Sequence, residues 1–342
     1  MQNIDFSSLS KPVSDSELKA YLKHKKTLTD KNSNRTAKVV LKVIKFLAIA
    51  FAVFILLSLT IIFMTTEGSF KLMSIAPLFI ALTIIFAISH SSKQAKIKDF
   101  KLHRLATENN LTYVPYSKPT SMDGFIFNIG HSHILLNRII FPDGTEIANY
   151  KYTTGSGKNQ QTHHWSYIRL QLMRKVPHMI LDSKRNNLFG KISNLPKGVD
   201  RSQILSLEGN FDNYFTLFAP KEYETDALYI FTPDVMQALI EVDDTNPYDM
   251  EAIDDHFYIY RQGSIKVDNP EDWEKLTQVV QILKPKLDKQ THFYADDNVG
   301  SREVNQVSEP GLRLKSRLSI ISIISLILIF AYIIWLFASF GS

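Results

Sequence analysis

Three long runs without a charged residue constrain this chain more than any other feature. They cover residues 46–66, 72–92 and 318–342, and are 21, 21 and 25 residues long. A helix needs about 20 mostly apolar residues to cross a bilayer. Each run therefore predicts a membrane-spanning helix, which is not the pattern of a simple soluble enzyme. The chain also has no cysteine, which excludes a disulfide-stapled secreted domain.

The uncharged runs divide the chain into seven predicted parts. The parts are a basic N-terminal segment with one helix (1–45), a transmembrane hairpin (46–92, with spans at about 46–66 and 72–90), a juxtamembrane helix (93–111), a β-rich subdomain (112–200), an α+β subdomain (201–290), a polar and basic linker (291–317) and a third transmembrane helix (318–340). The predicted fold class is an α+β cytoplasmic domain of mixed, mainly antiparallel sheets with a few helices, attached to three transmembrane α-helices.

Positive charge is concentrated beside the uncharged runs and not in the body of the chain. Residues 1–45 hold ten Lys or Arg and four Asp or Glu, whereas residues 106–300 hold 19 basic and 26 acidic residues, a net of −7. An acidic body argues against a nucleic-acid partner. The basic residues expected to lie close to lipid are Lys38, Lys42, Lys45, Lys93, Lys96, Lys98, Lys101, Arg104, Arg313, Lys315 and Arg317.

These basic residues predict how the chain is placed in a membrane. Lys and Arg near the ends of a span mark its cytoplasmic side, and they attract anionic lipids. We expect a multi-pass protein of the bacterial inner or plasma membrane, with its N-terminus and its folded domain in the cytoplasm and its C-terminus outside. A lipid bilayer with anionic lipids is then an expected partner.

From residue 112 onward, runs of β-forming residues are bounded by turn residues. They predict strands over 125–129, 132–141, 145–154, 164–172, 179–182, 203–207, 214–219, 227–231 and 251–261. Capping patterns mark three helix starts: Ser14 with Glu17, Thr232-Pro233 and Asn269-Pro270. The predicted helices cover about 15–29, 233–241 and 270–287.

Two stretches resemble known bacterial proteins. The segments LEGNFDNYFTLF (207–218) and ALYIFTPDVM (227–236) are similar to the core motif of membrane-anchored proteins of a domain-of-unknown-function family. The stretches 128–131 and 149–158 are similar to uncharacterised bacterial membrane proteins. The resemblance implies an N-terminal transmembrane hairpin followed by a soluble α+β domain. It implies no reaction, because none is assigned to the family.

Few residues suggest a chemical site. His131 and His133 are two apart on a predicted strand, so they face the same way, and with a third imidazole they could bind zinc. Exposed histidines at the start of a strand are the alternative interpretation. The stretch Gly155-Ser156-Gly157-Lys158 departs from the phosphate-loop pattern and predicts a hairpin turn. No catalytic residue and no cofactor is predicted.

The leading functional interpretation is a non-enzymatic scaffold or adaptor. Tethered at both ends, the domain would present a binding surface at the inner face of the bacterial membrane to a protein partner or to a second copy of the chain. One alternative is a membrane-bound hydrolase whose site is assembled from dispersed His and Asp residues, such as His178, Asp182, Asp212 and Asp226. Another is a membrane-organising protein that interacts with anionic lipids.

Overall fold

The computed structural model describes residues 4–30, 43, 58, 61, 70–120, 122–187, 193–195 and 198–316. The chain divides into two compact units, an N-terminal unit of Ser7–Arg104 and a C-terminal unit of Met1–Phe6 with Leu105–Ser342. The helices are α1 Ser7–Ser10, α2 Asp15–Asp30, α3 Phe70–Glu108, α4 Glu224–Ile230, α5 Pro233–Thr245, α6 Pro270–His292 and α7 Glu309–Leu312. The strands are β1 Thr112–Ser117, β2 His131–Ile140, β3 Glu146–Thr154, β4 Gln161–Ser183, β5 Ile204–Leu205, β6 Phe215–Phe218 and β7 Asp249–Gln262.

The described part of the N-terminal unit consists mainly of helices. α2 begins with the predicted capping box, in which the Ser14 N–H donates to Glu17 Oε2 at 2.9 Å and the Glu17 N–H donates to Ser14 Oγ at 3.2 Å. Tyr21 of α2 packs on Phe100 of α3, with ring centroids 5.2 Å apart. The Tyr21 hydroxyl also donates to Asp99 Oδ2 at 2.9 Å. Apolar and polar contacts together therefore join α2 to α3.

The prediction of three transmembrane helices is wrong. Within the part of the chain that the structure describes, no helix is both long and apolar enough to cross a membrane. The residues predicted as the second span begin α3, which continues without a break into a charged half from Lys93 to Glu108. The predicted fold class and the predicted multi-pass location in a bacterial cell membrane are corrected accordingly. The first and third predicted spans, over 46–66 and 318–340, lie outside the described residues except for Ser58 and Ile61.

One antiparallel sheet of seven strands forms the centre of the C-terminal unit. The strand order is β1-β2-β3-β4-β6-β5, and β7 also pairs with β4. β4 passes through the sheet, with its first half between β3 and β7 and its second half between β6 and β7. An antiparallel sheet with a few helices was predicted for this part of the chain, and this component of the prediction is confirmed.

The pairing of β4 with β7 is irregular in the middle of the ladder. The register shifts between Gln171 and Val176, and again between Val176 and Met179. Pro177 lies in this stretch and has no main-chain N–H to donate. Bulges of this kind bend a strand and change the direction of its side chains. The irregularity therefore decides where the next residue, His178, points.

One face of the sheet carries an aromatic core, which we call the aromatic face. Its side chains come from β2, β3, β4 and β7 and from the segment 122–127 that precedes β2. Phe127 makes edge-on contacts with Tyr150 and Tyr167, at centroid distances of 4.8 and 5.2 Å. On the other face of the sheet, where Arg261 forms an ion pair with Asp272, α6 packs on β4 and buries Trp273. The core thus fixes the segment around Phe127 against the sheet.

Two predicted strands are absent. Residues 125–129 form turns, in which Ile126 and Phe127 are buried. Residues 224–230 form α4, in which Ala227 and Ile230 are buried while Leu228 and Tyr229 are exposed. The buried positions are three apart, which is the spacing of a helix and not of a strand. β-Forming residue types alone therefore gave the wrong prediction here.

Candidate functional site

A cavity of about 230 Å³ lies beside the aromatic core of the C-terminal unit. Its apolar wall includes Phe125, Ile129, Ile180, Val199 and Leu314. These residues come from the turn segment before β2, from β4, from the connection before β5 and from the end of the described chain. The apolar wall is therefore built from four segments that are far apart in sequence.

A buried His–Glu pair forms the polar base of this cavity. His178 Nε2 lies 2.7 Å from Glu251 Oε1, and His178 Nδ1 lies 3.0 Å from the main-chain nitrogen of Leu314. Because the Leu314 N–H can only donate, Nδ1 is the acceptor and the proton of the ring resides on Nε2. His178 is therefore a neutral imidazole that donates to the Glu251 carboxylate and holds Leu314.

Glu251 uses both of its carboxylate oxygens. Oε1 accepts from His178, and Oε2 accepts from the Tyr260 hydroxyl at 2.7 Å and from the Phe125 N–H at 2.8 Å. Burial and the adjacent Glu251 charge raise the pKa of Tyr260 well above its ordinary value, which keeps this hydroxyl protonated as a donor. Burying a carboxylate is costly unless hydrogen bonds compensate for the lost water. Three donors do so here.

The approach of the Phe125 amide to Glu251 depends on a glycine. A Cβ placed on Gly124 would lie 2.1 Å from the Tyr260 hydroxyl oxygen and 3.1 Å from Glu251 Oε2. No other residue type leaves room for both groups. Gly124 therefore lets the turn segment lie against the polar base of the cavity.

Residues 313–316, which we call the C-terminal strap, close one side of the cavity. The Lys315 N–H donates to Gln203 Oε1 at 2.9 Å, and the Gln203 side-chain amide donates to the Lys315 carbonyl at 2.9 Å. Ser316 forms a bridge with Val199. Together with the Leu314–His178 bond, these contacts fix the strap to the sheet. The strap belongs to a stretch that was predicted as a linker.

The predicted lipid-proximal basic residues are found in different surroundings. Lys38, Lys42, Lys45 and Arg317 lie outside the described residues. Lys93, Lys96, Lys98, Lys101 and Arg104 lie on α3. Arg104 donates to the carbonyls of Ser8 and Lys11, and Lys93 lies 3.1 Å from Asp15 Oδ1. Arg313 and Lys315 lie in the strap and line the cavity, and Arg313 forms an ion pair with Asp254 at 2.9 Å.

The two histidines predicted as zinc candidates have separate partners. His131 contacts Ser132 Oγ through Nδ1 and the Gly155 carbonyl through Nε2, whereas His133 contacts the Tyr150 hydroxyl. The register of β2 shifts directly after His131, so simple alternation does not apply between the two. Among the described residues, no group of three or more His, Cys, Asp or Glu side chains could hold a metal ion.

The dispersed residues of the hydrolase interpretation do not converge on His178. Asp212 accepts from Leu207 and Ser206, and Asp226 accepts from the Tyr294 hydroxyl. The partner of His178 is Glu251, which sequence reasoning did not single out. Because the pair forms across two strands that are 73 positions apart in sequence, no local pattern marks it.

Comparison with known proteins adds little. No family model matches the chain, and no curated protein matches it. Among solved structures, the crystal structure of the mycobacterial trehalose monomycolate transport factor A, TtfA, is similar over 53% of this chain and 89% of that chain. The TM-score is 0.36 and the sequence identity is 10%. Similarity at this level supports no conclusion about the function of the chain.

Proposed function

We propose that the C-terminal unit is a non-enzymatic binding module of the scaffold or adaptor type, whose cavity receives one side chain or small group of a partner protein. The observation that carries the proposal is the completed hydrogen bonding at the base of the cavity. His178, Glu251 and Tyr260 satisfy one another and hold the strap and the turn segment in place. Polar groups that satisfy one another in this way give the floor of a pocket its shape and need not take part in a reaction.

The same geometry opposes the hydrolase alternative. A general base must offer a lone pair to the proton that it removes. The lone pair of His178 at Nδ1 accepts from the Leu314 N–H, and its Nε2 proton is donated to Glu251. Both nitrogens are therefore occupied by groups of the chain itself.

The dimensions of the cavity fit this role. A volume of about 230 Å³ is smaller than the roughly 300–1,000 Å³ of typical small-molecule sites. Apolar walls with a few polar groups are usual for a pocket that receives an anchor residue. The cavity mouth also carries Asn128, Arg313 and Lys315, which can select a polar or acidic neighbour of that anchor.

Selection with a random peptide library displayed on phage tests the binding role. The full-length chain is compared with Asn128→Trp, which places an indole at the cavity mouth, and with Asn159→Trp, which changes another exposed asparagine, in the hairpin loop. We expect peptides that bind the natural chain and Asn159→Trp and that lose at least about tenfold in affinity for Asn128→Trp. Peptides that bind all three chains equally would contradict the proposal.

A second assay addresses the alternative directly. The full-length chain and the His178→Gln variant are incubated with chromogenic carboxylate and phosphate esters. The binding module is expected to show no turnover that depends on His178. Hydrolysis by the natural chain that disappears in a His178→Gln variant of unchanged melting temperature would instead favour the hydrolase.

A further inference from the structure

The C-terminal strap is held in the way that an extended peptide is held in a groove. The Leu314 N–H donates to His178 Nδ1 at 3.0 Å. The Lys315 N–H donates to Gln203 Oε1 at 2.9 Å. The Lys315 carbonyl accepts from the Gln203 side-chain amide at 2.9 Å and from the Asp200 N–H at 3.0 Å. These contacts use main-chain atoms of the strap, so they do not depend on its side chains.

The residues that hold the strap, which we call the strap groove, are His178, Val199, Asp200, Gln203 and Asp254. Two of them are buried, since His178 is 8% exposed and Gln203 is 5% exposed. Buried polar groups that lose their partner are costly. An extended main chain satisfies both side chains, and in strand addition such a main chain comes from another protein.

The other contacts of the strap are few. Arg313 pairs with Asp254 at 2.9 Å, but their side chains are 48% and 22% exposed. An ion pair this close to solvent contributes little to stability. Ser316 adds one bridge to Val199, and the strap is not one of the seven strands of the sheet. Displacement of the strap would therefore leave the strand pairing intact.

Leu314 does not fill the apolar part of this groove. It is only partly buried, and it shares the wall of the cavity of about 230 Å³ with Phe125, Ile129 and Ile180. Protein interiors are normally close-packed, with few voids larger than a water molecule. A larger apolar side chain in the place of Leu314 would fill this volume and remove more apolar surface from water. The strap is thus a suboptimal ligand of its own groove.

We propose that the strap occupies the place of a partner segment, and that an extended stretch of a partner protein displaces it. The partner segment carries a large apolar residue at the position of Leu314, and its main chain takes over the hydrogen bonds of His178 and Gln203. This inference rests on the proposed function, because it names the partner of the same cavity. The strap then regulates binding, since only molecules with an open groove can accept the partner.

Fluorescence anisotropy with labelled peptides tests the proposal. The peptides have the sequence of residues 310–316, PGLRLKS, with Leu, Trp or Asp at the position of Leu314. They are titrated with the full-length chain and with its Leu314→Asp variant, in which a carboxylate at the apolar wall weakens the bound strap. The Trp peptide should bind at least about tenfold more tightly than the Leu peptide, and the Asp peptide should not bind. Equal affinities for the three peptides would overturn the proposal.

The variant separates a displaceable strap from a fixed one. Because a bound strap lowers the apparent affinity for a competing segment, Leu314→Asp should bind the Trp peptide at least about tenfold more tightly than the natural chain does. Leu312→Asp is the matched control, since Leu312 is a leucine that is 37% exposed and does not line the cavity. It should bind as the natural chain does. No gain in Leu314→Asp, or the same gain in the control, would contradict the proposal.

A measurement on the natural chain avoids dependence on the folding of the variants. At saturating Trp peptide, hydrogen–deuterium exchange of residues 313–316 should become faster, because the strap has left its groove. A Trp peptide that is N-methylated at the position of Lys315 cannot donate to Gln203 and should have no such effect. Binding of the first peptide without faster exchange, or no binding of it to the natural chain, would overturn the proposal.

Failure of this proposal can be told apart from failure of the proposed function. Library peptides that lose affinity for Asn128→Trp but leave the exchange of the strap unchanged would support the binding module and overturn the role of the strap. Absence of binding by both the library peptides and the strap-derived peptides would overturn both. A natural chain that is dimeric and becomes monomeric with the Trp peptide would assign the groove to the strap of a second copy, against a separate partner.

Discussion

Two groups of buried carboxyl side chains beside β4 have opposite electrical surroundings. Beside Arg169, in the first half of β4, Glu146 of β3 is 0% exposed and accepts from Arg138 at 2.7 Å and from Arg169 at 3.1 Å. The Tyr167 hydroxyl donates to the same carboxylate. At the C-terminal end of β4, Asp182 and Asp249 are buried without an ion pair among the described residues. One sheet thus contains a compensated and an uncompensated buried charge.

The pKa values of the two regions move in opposite directions. Burial opposes the ionisation of Glu146, but the hydrogen bond from Arg138 and the charge of Arg169 outweigh it and lower the pKa. Burial and the neighbouring Asp182 raise the pKa of Asp249 to about 7. A compensated buried charge supports the fold, whereas an uncompensated one costs stability unless a ligand or a proton is added. This difference separates the ion-paired Glu146 cluster from the Asp182 and Asp249 pair.

The largest expected effect comes from breaking the compensated cluster. Glu146→Gln leaves Arg138 and Arg169 without their shared negative partner, which should cost about 3–5 kcal/mol of unfolding free energy. Urea denaturation of the full-length chain measures this loss. Glu222→Gln, a change of the same type at an exposed position, serves as the control. A loss below about 1 kcal/mol would show that the ion pairs of Glu146 with Arg138 and Arg169 do not stabilise the fold.

A somewhat smaller effect on stability is expected at Asp249, and it depends on pH. Folded Asp249 keeps its proton up to about pH 7, whereas the unfolded chain releases it near the ordinary value of 3.8. The native state then binds more protons in this window, so the unfolding free energy falls as pH rises, by at most about 4 kcal/mol. Asp249→Asn should make this slope smaller but not abolish it, because burial also raises the pKa values of Asp182 and Asp243. An identical pH dependence of stability in the variant and the natural chain would contradict the assigned role of Asp249.

Local sequence signals predicted the parts of the fold that depend on neighbouring residues. The capping box at Ser14 is present, α5 begins at Pro233, and α6 begins at Pro270 with Asn269 accepting from the Glu271 N–H. The strands predicted over 132–141, 145–154 and 251–261 correspond to β2, β3 and β7. Caps and alternation are short-range features, and one sequence is enough to find them.

Neither the His178–Glu251 pair nor the Asp182–Asp249 pair could be predicted from the sequence, because the register of β4 against β7 brings the partners together. His178 and Asp182 were noted as dispersed candidates, but their partners Glu251 and Asp249 belong to a strand that is paired only in the folded sheet. The bulge before His178 further changes which side chains meet. No sequence pattern marks Gly124 either, because the two groups that exclude a side chain there, the Tyr260 hydroxyl and the Glu251 carboxylate, are more than 120 positions away.

The smallest predicted effect concerns Gly124, between the two regions. Its Cβ in Gly124→Ala would lie 2.1 Å from the Tyr260 hydroxyl, so the turn segment must shift and the Phe125 N–H moves away from Glu251. Overpacking of this kind costs about 1–3 kcal/mol. Because the collision is with one oxygen, the same substitution should cost less in a Tyr260→Phe background, which a double-mutant cycle measures by urea denaturation. Equal costs in both backgrounds would mean that the loss comes from the main chain.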